Sequence, residues 1–313
     1  MRASAPAARR NEMAQAPSSL MGRQLPLGEE IFLDHIGHFV PDMEAATRAL
    51  ARAGFAPTPV SIQVNPDPGG GAPRLTGTGN VTAMLAQGYL EVLFKTADTP
   101  LVAELEAESA RYPGMHLVAF AAADAAAAHA RLAAAGFRVR ALVKMQRPVD
   151  VEGAPGTAAF TPARVEPGEM PEGRIQILTH HTERAVWQPR WLSHPNGALA
   201  LTRVVIAVAD VEEAAQRFGR FTGRMARPSP FGRSIELDRG HLDLVSVDGF
   251  QQMLPEISLP SIPFMGACEI RVASLAALRD RLRQARLETF ERPQSLVVRF
   301  PAEIGDGAWL FKE

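Results

Sequence analysis

Apolar and polar residues alternate along this chain in a pattern that returns four times. Each round opens on an apolar strand, as in Leu33-Asp-His-Ile-Gly-His-Phe-Val40. A residue suited to capping a helix follows, at Asp42, Asp124, Asp210 and Ser274. An apolar residue stands eight positions after each cap, at Leu50, Leu132, Phe218 and Leu282. Each round closes on a glycine that leads into a strand: Gly88-Tyr-Leu-Glu91, Gly173-Arg-Ile-Gln176, Gly240-His-Leu-Asp243 and Gly307-Ala-Trp-Leu310. Such a period marks one supersecondary unit copied along the chain.

The first unit predicts a strand over 33–40 and a helix over 42–53 that Gly54 ends. A strand region at 55–64, a loop at 65–71 and strands at 80–86 and 89–94 complete it. The second predicts strands at 117–122, 138–144, 156–160 and 174–179, with a helix over 124–135. The third starts at Leu201 with a helix over 211–221, and the fourth at Ala267 with a helix over 275–285. Proline-bearing segments at 184–198 and 250–263 read as connectors. Each unit is β-α-β-β-β, and two such units can pair into a curved sheet around a cavity.

A length of 313 residues suits two domains. A net charge of −1 gives no general pull toward nucleic acid or membrane, and a monomer or homodimer is expected. Cys268 is the only cysteine, which excludes an internal disulfide or thiolate cluster and fits a reducing cytoplasm. No apolar run approaches the ~20 residues of a membrane helix. Residues 1–28, rich in Ala, Pro, Ser and Arg, read as a disordered extension or as the product of an early start, with Met13 and Met21 as later ones. Motifs of the G-x-S-x-G and H-E-x-x-H kinds are missing. The glycines at 69–71 and in Gly77-Thr-Gly-Asn80 precede a strand, so they do not form a phosphate loop; a mobile loop near the cavity is expected, with Asn80 opening a strand.

The residues Leu33-Asp-His35, Val40-Pro-Asp42 and Gly88-Tyr-Leu-Glu91 resemble the vicinal oxygen chelate (VOC) superfamily of glyoxalases, extradiol dioxygenases and bleomycin-resistance proteins. His180-His181-Thr, Trp187 and His194-Pro-Asn-Gly197 are similar to its glyoxalase-like branch. The resemblance implies an α+β fold: four βαβββ units paired into two VOC (glyoxalase-like) domains. These would cover residues 29–198, with the active cavity, and 199–313, a degenerate copy.

The resemblance also implies a divalent metal whose ligands come from the first and last strand of each unit. That register gives His35, Leu117, Glu91 and Gln176 in domain one, and Arg203, Ala267, Asp243 and Leu310 in domain two. His35 and Glu91 are then metal ligands of an incomplete site, or a catalytic pair without metal. Domain two is expected to hold none, with Arg203 paired to Asp243. His38 and His116 have the wrong parity for the cavity, unless a bulge turns His116 inward. His180 has inward parity at the cavity mouth and, with His181, Asn80 and Gln176, is a candidate for substrate binding, with capping of the connector as the other reading of the His-His pair. Trp187 and Trp191 stack on a ligand or anchor the connector.

Three readings stay open. One is an enzyme of lyase or isomerase type acting on a small oxygenated molecule, with dioxygenase chemistry least expected because the ligand set is incomplete. Another is a metal-free binding or sequestration protein. The third gives domain two a purely structural role.

Overall fold

Four β-α-β-β-β units follow one another in the computed structural model, which describes residues 23–67 and 69–313. The first comprises β1 (Ile31–Phe39), α1 (Met43–Arg52), β2 (Ser61–Asn65), β3 (Arg74–Met84) and β4 (Tyr89–Lys95). A linking helix, α2 (Pro100–Ser109), leads to β5 (Met115–Ala122), α3 (Ala125–Ala134), β6 (Met145–Val151), β7 (Ala154–Arg164) and β8 (Arg174–His180). After α4 (Glu183–Val186) come β9 (Ala198–Ala207), α5 (Val211–Thr222), β10 (Ala226–Ser229), β11 (Gly232–Glu236) and β12 (His241–Val245). After α6 (Val247–Met253) come β13 (Phe264–Val272), α7 (Leu275–Gln284), β14 (Thr289–Arg292), β15 (Ser295–Arg299) and β16 (Ala308–Lys312).

All four expected caps work. Asp42, Asp124, Asp210 and Ser274 each accept a hydrogen bond from a backbone N–H of the first helical turn. Each helix then buries one stripe, as Ala46, Ala49 and Leu50 do in α1 and Leu275, Leu278 and Leu282 in α7. The stripes meet in a core between the sheets. Phe55 of the first unit packs on Trp309 of the fourth, and Phe137 of the second on Phe221 of the third. Helices and core thus occupy the outer faces, and the inner faces are left to line cavities.

The first two units close into an eight-stranded barrel in the order β1-β4-β3-β2-β6-β7-β8-β5, shut by β1–β5 and by Val64 against Gln146. The other two join through β9–β13 only, and no pairing among the described residues links β10 to β14. Their sheet is an open trough.

The recurring glycine has a steric cause. Gly88 has φ +75°, and a Cβ there would sit 2.8 Å from the Asp34 carbonyl oxygen. The other three repeat it: a Cβ at Gly173 would meet His116 O, at Gly240 Leu33 and Thr202, and at Gly307 Gly266 O. In every unit the last strand passes under the backbone next to the first-strand register position, and only glycine permits that approach.

Several expectations need correction. The loop foreseen around Gly77-Thr-Gly-Asn80 lies within β3. The strand placed at 138–144 is loop, and β6 starts at Met145 and carries Pro148. Helix α2 was not foreseen, although Thr99 caps it and Pro100 opens it. Of the stretch expected to be disordered, residues 1–22 lie outside the described residues. Its end packs on the protein, with Gln24 buried and its side chain bonded to Ala86 O. No helix among the described residues is long and apolar enough to cross a membrane.

Candidate functional site

The barrel interior is built by strand parity. Glu91 stands two residues past Tyr89 on β4, and β1 pairs with β4 so that His35 lies opposite Tyr89 and Gly37 opposite Glu91. His35, Glu91, Leu117 and Gln176 line one chamber, as the register requires. Asp34 lies at a bulge of β1 against β5, where the register shifts between Leu33 and His35. The bulge breaks simple alternation, so Asp34 and His35 act on one network.

That network is continuous and buried. His35 Nδ1 donates to Asp34 Oδ2 at 2.7 Å, and His180 Nε2 donates to both Asp34 oxygens at 3.1 and 3.2 Å. Burial alone would push the Asp34 carboxyl up, but His180 and His35 outweigh it and hold it well below the usual carboxylate range. Asp34 is therefore an acceptor, which makes both ring nitrogens facing it donors. Tyr89 stacks on the His35 ring at 4.3 Å. On the other side, Glu91 Oε1 accepts from Asn80 at 2.6 Å and from Gln63 at 3.3 Å. Gln63 is itself oriented by Thr78, which donates to its carbonyl at 2.6 Å. Glu91 Oε2 is left facing His35 Nε2 at 3.6 Å.

The chamber is small, about 50 Å³, and Leu101 and Leu105 of α2 line one side of it. Arg174 also lines it; burial, with Arg164 nearby, pushes that guanidinium down to about 9. A second space of about 560 Å³ opens beside the chamber, lined by Ser61, Thr82, Met84, Val149, Val186 and Trp191. Arg147 lines both spaces. Since Thr82 and Met84 share parity with Asn80 on β3, and Val149 with Arg147 on β6, this space is the mouth of the same barrel.

The other expected site residues fall differently. His180 does not reach the mouth; it supports Asp34 from inside and meets Trp187 edge-on at 4.8 Å. His181 has the opposite parity and is exposed, pairing with Thr161 Oγ1 at 2.8 Å rather than facing the cavity. His116 points away from the chamber and donates to Tyr112 O at 2.7 Å, and His38 packs in the core and donates to Ile304 O at 3.0 Å; both are buried. Trp187 anchors the connector, while Trp191 lines the mouth. Sequence reasoning missed Asp34, Gln63 and Arg147. Asp34 stands beside His35, where simple strand alternation would turn it to the opposite face.

The four register corners hold an imidazole, a carboxylate, an amide and the isobutyl group of Leu117. Among the described residues no three His, Cys, Asp or Glu side chains converge as an ion needs, and two guanidiniums line the chamber. This donor set does not fit a firmly held divalent ion. In the trough, Arg203 pairs with Asp243 at 3.1 Å and with Glu269 at 2.7 Å, while Ala267 and Leu310 join an apolar cluster with Phe250, Leu254 and Ile257.

A family model described as a glyoxalase-like domain matches residues 33–222, from β1 through α5. No curated protein matches the chain. Among solved structures, a hypothetical protein from Staphylococcus aureus is similar with TM-score 0.61 at 9% identity, over 90% of this chain and 99% of its own. A triple mutant of 4-hydroxymandelate synthase from Streptomyces coelicolor gives 0.56 at 14%, over 90% and 92%. The Mn(II)-bound glyoxalase from Novosphingobium aromaticivorans gives 0.50 at 15%, over 90% and 81%. At these identities the likeness is one of fold.

Proposed function

We propose that this chain, which belongs to the glyoxalase-like domain family, binds a small oxygenated organic molecule in its first barrel and moves a proton on it with the Glu91–His35 pair. The observation that carries this reading is Glu91 Oε2 facing His35 Nε2 at 3.6 Å while the other polar atoms of both groups are engaged. With Nδ1–H committed to Asp34, the other ring nitrogen of His35, Nε2, is left facing the Glu91 carboxylate. His35 Nε2 and Glu91 Oε2 lie together on the chamber wall, where a substrate C–H or O–H can present its proton. Glu91 takes that proton as general base. His35, steadied by Asp34 and the Tyr89 ring, stabilises or relays it. Asn80 and Gln63 fix the carboxylate so that one oxygen stays free for the substrate.

This arrangement suits lyase or isomerase chemistry, in which a proton beside a carbonyl leaves and either returns elsewhere or accompanies loss of a neighbouring group. This chemistry runs on the side chains alone, since the donor set does not fit a metal. The test is hydrogen–deuterium exchange. A panel of small 2-oxo acids and hydroxyketones in D₂O is followed by proton NMR with the full chain. Wild type should accelerate loss of a C–H signal for at least one compound, and Glu91→Gln should abolish it while keeping the melting temperature. Exchange that survives Glu91→Gln sinks the proposal. One observation favours a second reading, sequestration: the mouth, at about 560 Å³, far exceeds the chamber that holds the reactive groups. That reading expects saturable binding with no exchange.

A further inference from the structure

We propose that the molecule taken by this barrel is a monocarboxylate with an apolar body, and that Arg147 holds its carboxylate where chamber and mouth meet. This rests on the reading of the first barrel as a ligand site, not on the proton chemistry assigned to Glu91.

Arg147 sits on β6 with inward parity and is only 8% exposed. Among the described residues its side chain forms no hydrogen bond and no ion pair. The one other arginine equally buried among the described residues, Arg217, lies between Glu172 and Glu213. A buried guanidinium with five free donors is costly unless something pairs with it. Burial pushes Arg147 below the usual arginine range, only partly offset by Tyr89 and Glu91. An arginine in a protein keeps its proton, so the charge persists and calls for an anion.

The surroundings narrow the ligand. Glu91 lines the same chamber but is already held by Asn80 and Gln63, so it leaves the guanidinium fork free. Its negative charge opposes a second anionic group on the ligand, which disfavours dicarboxylates. Towards the mouth the walls are Met84, Val149, Val186 and Trp191, a surface for an aliphatic or aromatic body. The mouth volume of about 560 Å³ lies within the usual range for small-molecule sites. A carboxylate matches the planar donor fork of arginine in two parallel hydrogen bonds.

The test is calorimetric titration of the full chain with 3-phenylpropanoate and 4-methylpentanoate, each against its uncharged primary amide. The carboxylates should bind at least about tenfold more tightly than the amides, the worth of one charge-assisted contact. Arg147→Met should erase that preference, Arg147→Lys should restore part of it, and Asp243→Asn, in the trough, should leave it in place. Because a variant can fail to fold, the wild-type Arg147 Nε–H resonance gives a second readout: it should shift with carboxylate and not with amide. Equal binding of acid and amide, no saturable binding of either acid, an unmoved Nε–H signal, or a folded Arg147→Met that keeps the preference each overturns the inference. Loss of the preference with Glu91-dependent exchange intact overturns this inference alone. Exchange independent of Glu91, with the preference intact, overturns only the proton chemistry.

Discussion

The barrel of the first two units and the trough of the last two share one backbone plan and differ in what fills it. Both use the same caps, the same apolar stripe and the same glycine beneath the first strand. In the barrel, the register positions present His35, Glu91 and Gln176 to an enclosed chamber. In the trough they present Arg203 and Asp243, which neutralise each other with the help of Glu269, and Ala267 and Leu310, which pack against Phe250 and Leu254. Backbone devices such as caps and glycines keep a copy folded. They do not keep it chemically competent, because competence depends on a few inward side chains and on whether the sheet closes around them.

The largest effect expected from breaking this comparison is on activity. Glu91→Gln should lower proton exchange by about 10²- to 10⁴-fold, the usual worth of a general base. Asp243→Asn, at the equivalent strand position of the trough, should leave exchange within about twofold, since it touches nothing in the barrel. Equal losses from both would mean that the two cavities act together.

The next effect is on stability, and it should differ in sign between the two regions. Arg203→Ala strands Asp243 and Glu269, both largely buried, and should cost about 2 kcal/mol, less than a fully buried triad because Arg203 is partly exposed. Arg147→Met removes a buried cation that has no partner, so it should be neutral or stabilising. Chemical denaturation of the two variants measures the contrast. A strongly destabilised Arg147→Met would mean that the guanidinium supports the empty barrel.

Much of this plan was legible in the sequence. The fourfold repeat gave the units, and comparison of copies located His35, Glu91, Arg203 and Asp243 at matching strand positions. What stayed hidden depends on departures from regularity. Asp34 joins the network only because β1 bulges, and no local signal marks that bulge. Arg147 was out of reach because the sixth strand was expected before residue 145, and Pro148 obscured its true course. The different roles of His180 and His181 follow from parity, but that His180 reaches back to Asp34 across 146 positions of sequence is purely tertiary.

A pH titration probes the contact between the two regions. His38 of β1 donates to Ile304 O in the fourth unit and packs edge-on against Phe300 at 5.0 Å. Burial pushes His38 from 6.5 down to about 4, and His116 likewise to about 4. Both are thus neutral when folded, while the unfolded chain binds protons from about pH 6.5 downward. Their contribution is fully present above pH 6.5 and is lost as pH falls toward 4, by roughly 2 kcal/mol per histidine near pH 5. His38→Gln should flatten the fall of melting temperature across that window. An unchanged slope would show that His38 takes up its proton in the folded chain as readily as in the unfolded one.

The smallest effect expected is that of chelation. An ion in the first barrel would have to use His35 Nε2, Glu91 Oε2 and the Gln176 amide, with Leu117 at the fourth corner and Arg147 and Arg174 on the same walls. Such a set offers two strong donors where stable sites use three or four. A ligand present at a hundred times its dissociation constant adds about 2.7 kcal/mol to stability. Dialysis against EDTA should therefore shift stability by well under that, and the shift should match that of a Glu91→Gln variant, which lacks one donor. If instead chelation lowers the melting point of wild type alone, and elemental analysis finds one ion per chain, then the barrel differs from the trough by a metal as well as by its free side chains. In that case the proton chemistry assigned to Glu91 gives way to ligation by it.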